Sequence, residues 1–310
     1  MNYTELKSNR QQFLARTGLT PEAFQRLRTA FQQTYERWFP PDLTRAGHPR
    51  QRLVGGGRKS SLESPEQKRL FILVYLKTYA LPIVLGERFA MSQPRANPWI
   101  HRLLPIRREA LDNGGVLPER TAGHFAPSQA GPGRPASSVD ATERRRQRPQ
   151  NPEKQALCYR GRKKKHGAKN VVIVPVRKQR VEFLSRTYAG KTHEKKIADQ
   201  EGIVYPPNAV LYKDSGFQGY EPPVKETCQP KKKTRTRELT PSEKQGHRGL
   251  ASIRVHVEHA LAGVKRLRIV KDVFRNTTEG DSDSAMEAAC GLHNRRVRSR
   301  KTRATPERSQ

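Results

Sequence analysis

A change of periodicity part-way along the chain restricts its fold more than any other feature. Through roughly the first 120 residues, apolar side chains recur at helical spacing. Beyond residue 138 they come in short β-branched runs that alternate with helical stretches. Between the two, TAGHFAPSQAGPGRPASS at 121–138 has neither period and reads as a linker. The pattern predicts an all-α part followed by an α/β part, and no internal repeat is visible.

In the first part, Thr20 before Pro21 is a good N-cap, and Phe24, Leu27, Phe31, Tyr35 and Trp38 make one apolar stripe. Pro40 and Pro41 end that helix. Residues 46–63 read as a flexible basic linker. Its GGGRKS run at 55–60 lacks both the GxxxxGK[ST] spacing and the preceding strand of a phosphate loop. Ser64 and Gln67 have capping-box spacing, with Leu70, Leu73, Val74 and Leu76 following as a buried helical face.

Residues 83–89 and 93–104 then form two short helices joined at Ala90 and Met91 and capped by Ser92. With Arg95, Trp99 and Arg102 on the second, they fit a helix-turn-helix; an ordinary helical hairpin has the same spacing. Pro98 falls inside the second helix, where a proline costs ~3 kcal/mol, and the turn has Ala90 in place of a glycine.

In the second part, 171–176 and 181–184 look like a hairpin, 192–200 like a helix and 209–212 like a strand that ends at Asp214. A polar, basic stretch covers 225–248. The strongest helix is 250–267, with Leu250, Ile253, Val257, Leu261 and Val264 as its stripe, and 283–298 is a last helix running into a basic tail.

Charge narrows the partner. Lys and Arg number 61 against 29 Asp and Glu, a formal +32. Such a surplus points to a polyanion, because each neutralised phosphate releases condensed counterions. Ribosomal and membrane-surface proteins can be equally basic. Cys158, Cys228 and Cys290 are far apart with no CxxC spacing, which argues against a disulfide scaffold or a structural zinc site. The N-terminus has no apolar signal region and the run at 70–76 is too short for a bilayer, so a cytoplasmic protein is expected.

In so basic a chain, three acids stand out: Asp140 opening DATERR, Asp214 closing VLYKD, and Glu258 on the amphipathic helix. Metal-dependent phosphoryl transfer needs hard oxygen ligands brought to one point from separate elements, around two cations ~3.5–4 Å apart. Three solvated carboxylates are the plain alternative. Arg144, Arg145, Arg146 and Arg148, then Arg160, Arg162, Lys163, Lys164 and Lys165, follow Asp140 closely and could cancel DNA phosphates there. Arg254, Glu258 and Lys265 fall within one broad helical face, as in a metal- and phosphate-binding helix or a surface ion-pair ladder.

The runs DATERRRQRPQNPEKQALCYRGRKKKHGAKN at 140–169, YAGKTHEKKIAD at 188–199, LYKDSGFQGY at 211–220 and SIRVHVEHALAGVKRLRIVKD at 252–272 resemble bacterial insertion-sequence transposases, the large group numbered four and five. FILVYLKTY at 71–79 and ANPWIHRLLP at 96–105 are similar to the helix-turn-helix that precedes the endonuclease in that group. The resemblance covers nearly the whole chain. It implies a ribonuclease-H-like α/β domain after an all-α one, with the DDE triad on Asp140, Asp214 and Glu258. It further implies two Mg²⁺ or Mn²⁺ ions, and nicking of element ends with joining of the 3′-hydroxyl to target DNA.

Of the Tyr-x₂-Arg-x₃-Glu-x₆-Lys signature that members often carry on the last catalytic helix, Arg254, Glu258 and Lys265 match, and Ala251 stands at the tyrosine. Glu194 stands where an aspartate is expected, and Pro135 to Ser138 make a poor strand ahead of Asp140.

The organisation expected is a helical region with basic linker at 1–60, a helix-turn-helix domain at 61–120, a linker at 121–136, the endonuclease at 137–300 and a tail at 301–310. DNA contacts are expected from Arg254, Lys265, Lys163, Lys164, Lys165, Arg95 and Arg102, on double-stranded element ends and target, with a homodimer at synapsis and no membrane partner. Two other classes compete: an end-binding relic that no longer cuts, and a basic RNA-binding protein, which would need exposed aromatic platforms where aromatics are only 7%.

Overall fold

The computed structural model describes residues 1–44, 47–51, 60–128, 134–176, 178–230 and 240–304. Along the chain run α1 (Tyr3–Leu6), α2 (Arg10–Thr17), α3 (Pro21–Gln25), α4 (Arg28–Trp38), α5 (Pro65–Thr78), α6 (Pro82–Arg88) and α7 (Gln93–Asn113). Then come α8 (Ala122–Ser128), β1 (Ala136–Arg145), α9 (Pro152–Cys158), β2 (Tyr159–Arg160), β3 (Lys165–Pro175), β4 (Phe183–Leu184), β5 (Tyr188–Ala189) and α10 (Glu194–Glu201). The last elements are β6 (Val210–Tyr212), β7 (Glu226–Cys228), α11 (Pro241–Val264), α12 (Arg268–Lys271) and α13 (Asp281–Ala304). Two compact units result: Met1–Leu117 with Arg266–Val270 and the rest of α13 from Ser284, and Pro118–Lys265 with Lys271–Asp283.

The first unit is helical. Thr20 accepts the Ala23 N–H at 3.2 Å, as its N-cap position requires. The stripe it opens is split, since Leu27 leaves helical geometry between α3 and α4. Phe24, Leu27 and Phe31 are buried, but Trp38 is 46% exposed and donates its indole N–H to Glu109. Ser64 accepts the Gln67 N–H, yet the Gln67 side chain bonds to Tyr3 N and Met1 O instead of closing a capping box. α5 is buried from Lys68 to Leu76, on every side and not on one face, so it is this unit's central helix. Most of the GGGRKS run lies outside the described residues.

Two arginines are enclosed here. Arg69 lies 3.8 Å over the Phe24 ring. Arg107, on α7, is fully buried, and none of its guanidinium nitrogens has a hydrogen-bond partner. Burial pushes Arg107 down to about 9, helped by the like charges of Arg69 and Arg295.

The second unit is built on a mixed sheet of order β2–β3–β1–β6–β7, with β4 and β5 also on β3. β3 runs antiparallel to β1, whereas β6 is parallel to β1 and β7 to β6. The stretch read as a linker is partly ordered: α8 forms at 122–128, and Phe125 joins Val139, Val171, Ile173, Phe183, Ile197 and Leu211 in one core. Residues 129–133 lie outside the described ones.

The weak strand formers ahead of Asp140 are nevertheless in a strand. Ser137 and Ser138 pair with Pro175 and Val174 on one side and with Leu211 and Tyr212 on the other. A doubly paired central position overrides intrinsic propensity. α13 continues to Ala304, into residues expected as tail. Among the described residues no helix is long and apolar enough to cross a membrane.

Candidate active site and nucleic-acid interface

Side chains alternate along β1. Val139 belongs to the core against α8 and α10, and Ala141 packs on it, so Asp140 stands on the opposite face. Asp140 lies in mid-strand and not at a strand end. β1 and β6 pair in parallel at Ser138–Tyr212. Asp140 lies two residues further along β1, and Asp214 two residues further on, just past the end of β6, so the two aspartates come close together. There Asp214 caps the turn at Ser215–Phe217, accepting the Ser215 N–H at 2.6 Å, and Gln229 Nε2 holds its carbonyl at 2.6 Å.

The electrostatics bear out the proximity. Asp140 is pushed up to about 6, first by burial and then by the charges of Asp214 and Glu194. The Ala141 N–H, donating to Asp140 Oδ1 at 2.7 Å, and the Arg254 cation oppose the rise. Beside it on the same face, the buried hydroxyls of Ser138 and Thr142 make no hydrogen bond among the described residues.

α11 and the residue just past its end supply the cations. Arg254 Nη2 reaches Asp214 Oδ1 at 3.3 Å. Lys265 is pushed down by burial, and Asp140 pulls it back up. Glu258 does not join the pair: it is exposed on α11, one turn beyond Arg254. Among the described residues no group of three His, Cys, Asp or Glu side chains is placed to hold a metal ion. The expected meeting of three carboxylates is thus present only as two, with Arg254 seated on one of them.

Glu194, which departs from the family's aspartate, sits close to the acid pair. It opens α10 and ion-pairs with Lys169, itself 4% exposed, at 3.7 Å. Its Oε2 lies where a Cβ at Gly216 would stand only 2.1 Å away, so the turn after Asp214 needs glycine to admit this carboxylate. The signal available in sequence was the acid itself, Glu194, ahead of KDSGF. Glu143 was missed entirely. It accepts from Lys163 at 2.9 Å and also from Arg160, and these two outweigh burial to lower it. Lys163, Lys164 and Lys165 are all exposed, but only the last two are without this tie to Glu143.

In the first unit, α6 and α7 flank a tight turn. Ala90 takes a positive φ of 52°, and Met91 N–H donates to Gly86 O at 2.9 Å. A Cβ at Gly86 would stand 2.5 Å from Met91 O, so Gly86 is the glycine this turn needs. Ser92 occupies the N-cap without making the side-chain bond. α7 runs through Pro98 and Pro105 to Asn113, nine residues beyond the expected end, because its buried side, from Ala96 to Leu111, outweighs the bonds lost. Arg95 is exposed near the start of α7. Arg102 instead stacks over Trp99 at 4.7 Å and Phe39 at 5.2 Å.

The chain thus has a helical unit with this turn and a mixed sheet that carries two neighbouring aspartates. Residues 139–294 match the DDE superfamily endonuclease, and 60–113 match the helix-turn-helix of that same superfamily. The chain belongs to the DDE superfamily endonucleases. It is 21% identical over 258 residues to a protein described as a probable transposase for insertion sequence element IS702 from Microchaete diplosiphon, spanning 83% of this chain and 88% of that one. No solved structure matches it.

Proposed function

We propose that this protein is a transposase that cuts double-stranded DNA at the ends of its own element and joins the freed 3′-hydroxyl to target DNA. The observation that carries the reading is the closeness of Asp140 and Asp214, each two residues beyond the Ser138–Tyr212 pair of β1 and β6. A ribonuclease-H-like endonuclease is supported by the sheet: a long β1, antiparallel to β3 and parallel to β6, with the acid-bearing helix α11 following in sequence. Residues 137–300 would cut, and residues 61–120, joined to them through 121–136, would hold the element end. Two copies would meet at synapsis, in the bacterial cytoplasm.

Two of the three acids, Asp140 and Asp214, fit a divalent cation, while the exposed Glu258 stands apart from them. Asp140 and Asp214 are adjacent hard-oxygen donors, Asp140 is a reluctant anion, and two buried hydroxyls beside it are unmet. Asp140 and Asp214 would hold Mg²⁺ or Mn²⁺, and Glu258 would complete the set only by turning in from its exposed position on α11. When bound, such ions activate the attacking oxygen and stabilise the leaving one. The chain's own groups do the rest. Arg254 and Lys265 clamp phosphates beside the acids, Lys163, Lys164 and Lys165 add a broader attraction, and Arg95 faces DNA from α7. Arg102 shapes that helix through its stacking more than it contacts DNA.

A second reading, an end-binding relic, draws on the exposure of Glu258 and on Ala251 at the signature's tyrosine position. Nicking of the flanking element ends separates the two. Wild type should nick in Mg²⁺, and Asp214→Asn should shift the same DNA in a gel without nicking it. Wild type that binds its ends but cuts in neither Mg²⁺ nor Mn²⁺ is the relic.

A further inference from the structure

The first unit holds an arginine-lined cavity used by neither the helix-turn-helix nor the acid pair. Its volume is about 160 Å³, roughly ten times what one water molecule needs. Arg26, Arg266, Arg296 and Arg300 line it, and Glu22 is the one acid among the described residues of its wall. These cations come from three stretches of chain: just past α3, just before α12, and the last turns of α13. Arg296 and Arg300, four residues apart on α13, share a helix face.

Held this way the arginines oppose one another. Arg296 is pushed down to about 10, first by burial and then by Arg266 and Arg300. Its Nη2 meets His293 Nδ1 at 3.2 Å, while its buried Nε has no hydrogen-bond partner. The cationic surface also reaches beyond the cavity, since Arg26 and Arg298 act together on neighbouring Arg295. Leu14, Leu19 and Ala23 supply an apolar wall.

An anion with several acceptor oxygens turns each of these repulsions into an attraction, and the guanidinium fork suits phosphate bidentately. A cationic strip longer than the cavity suits a chain of phosphates better than a single small ion. We propose that this cavity grips the DNA sugar–phosphate backbone, a contact apart from the helix-turn-helix that positions the duplex without reading bases. The proposal rests on the DNA-cutting function set out above.

The test uses the full-length protein and a short duplex, with affinity followed by fluorescence anisotropy across a salt series. Arg296→Gln with Arg300→Gln should lower the slope of log K against log salt by about 2, at ~0.9 per phosphate contact, and leave sequence preference intact. The exposed pair on another wall, Arg26→Gln with Arg266→Gln, should lower it equally, and decides the matter if the α13 pair misfolds. Unchanged slopes in a folded variant overturn the site. Loss of inorganic pyrophosphate binding with an unchanged DNA slope also overturns it, leaving a small-anion pocket. Wild type that fails to bind DNA at all would instead sink the function on which the proposal rests.

Discussion

Asp140→Asn should stabilise the metal-free protein while destroying its chemistry. Asp140 titrates at about 6 in the folded chain against an ordinary 3.8. The sign follows from proton linkage. Between 3.8 and about 6 the folded state holds a proton that the unfolded state has released, so stability falls as pH rises through that window. Above it the whole difference is present: about 2.2 pH units at ~1.4 kcal/mol each, or about 3 kcal/mol as an upper bound. Asparagine keeps an oxygen for the Ala141 N–H and carries no charge, so it removes the penalty and little else. For a unit of this size, about 3 kcal/mol is a rise of ~6 °C or more in Tm.

Unfolding in chelator should be followed by far-UV circular dichroism and by amide exchange along β1. Trp38 and Trp99 both lie in the first unit, so their fluorescence serves as an internal control. The gain should be full at about pH 7.5 and nearly gone at about pH 4. A variant less stable than wild type at the higher pH, or equally stabilised at both, refutes the reasoning.

Three further outcomes follow from named contacts. Gly216→Ala should displace the flexible Glu194 carboxylate, so the gain from Asp140→Asn should shrink by ~0.5 kcal/mol or more in that background and in Glu194→Gln, as a double-mutant cycle would show. Replacing Lys163, Lys164 and Lys165 by Ala should flatten the salt dependence of DNA binding by ~2 units and not the full ~3, because Lys163 already answers to Glu143. Arg107→Met should raise stability by ~2 kcal/mol or more, measured by urea unfolding. Its wild-type penalty is complete below about 9 and is recovered as pH rises beyond it, so the gain should be largest at neutral pH; a loss there would show that the buried cation has a counter-charge after all.

What could be read from the sequence, and what could not, divides along a physical line. Amphipathic helices announce themselves locally, and so α11, α10 and the α6–α7 pair were visible as spacing. Asp140, Asp214 and Glu258 could each be picked out as acids in a basic chain, but their relation could not. The pairing of Asp140 with Asp214 depends on the parallel match of Ser138 with Tyr212, residues 74 apart in sequence. The residues that set this register, Ala136 to Ser138, are poor strand formers that the sheet holds only by pairing on both sides.

The same holds for what was missed. Glu194 reaches the site because Gly216 leaves room for it, and a glycine's reason for being small is invisible until its neighbour is placed. Lys169 is buried against Glu194, where sequence shows only one more basic residue. Local preference and final position thus disagree most in the strand around Asp140, which also carries the least comfortable charge of the acid pair. That coincidence is expected at a functional site, where chemistry outranks local preference. The surrounding sheet then supplies the stability that the acids withhold, and propensity alone is a poor guide there.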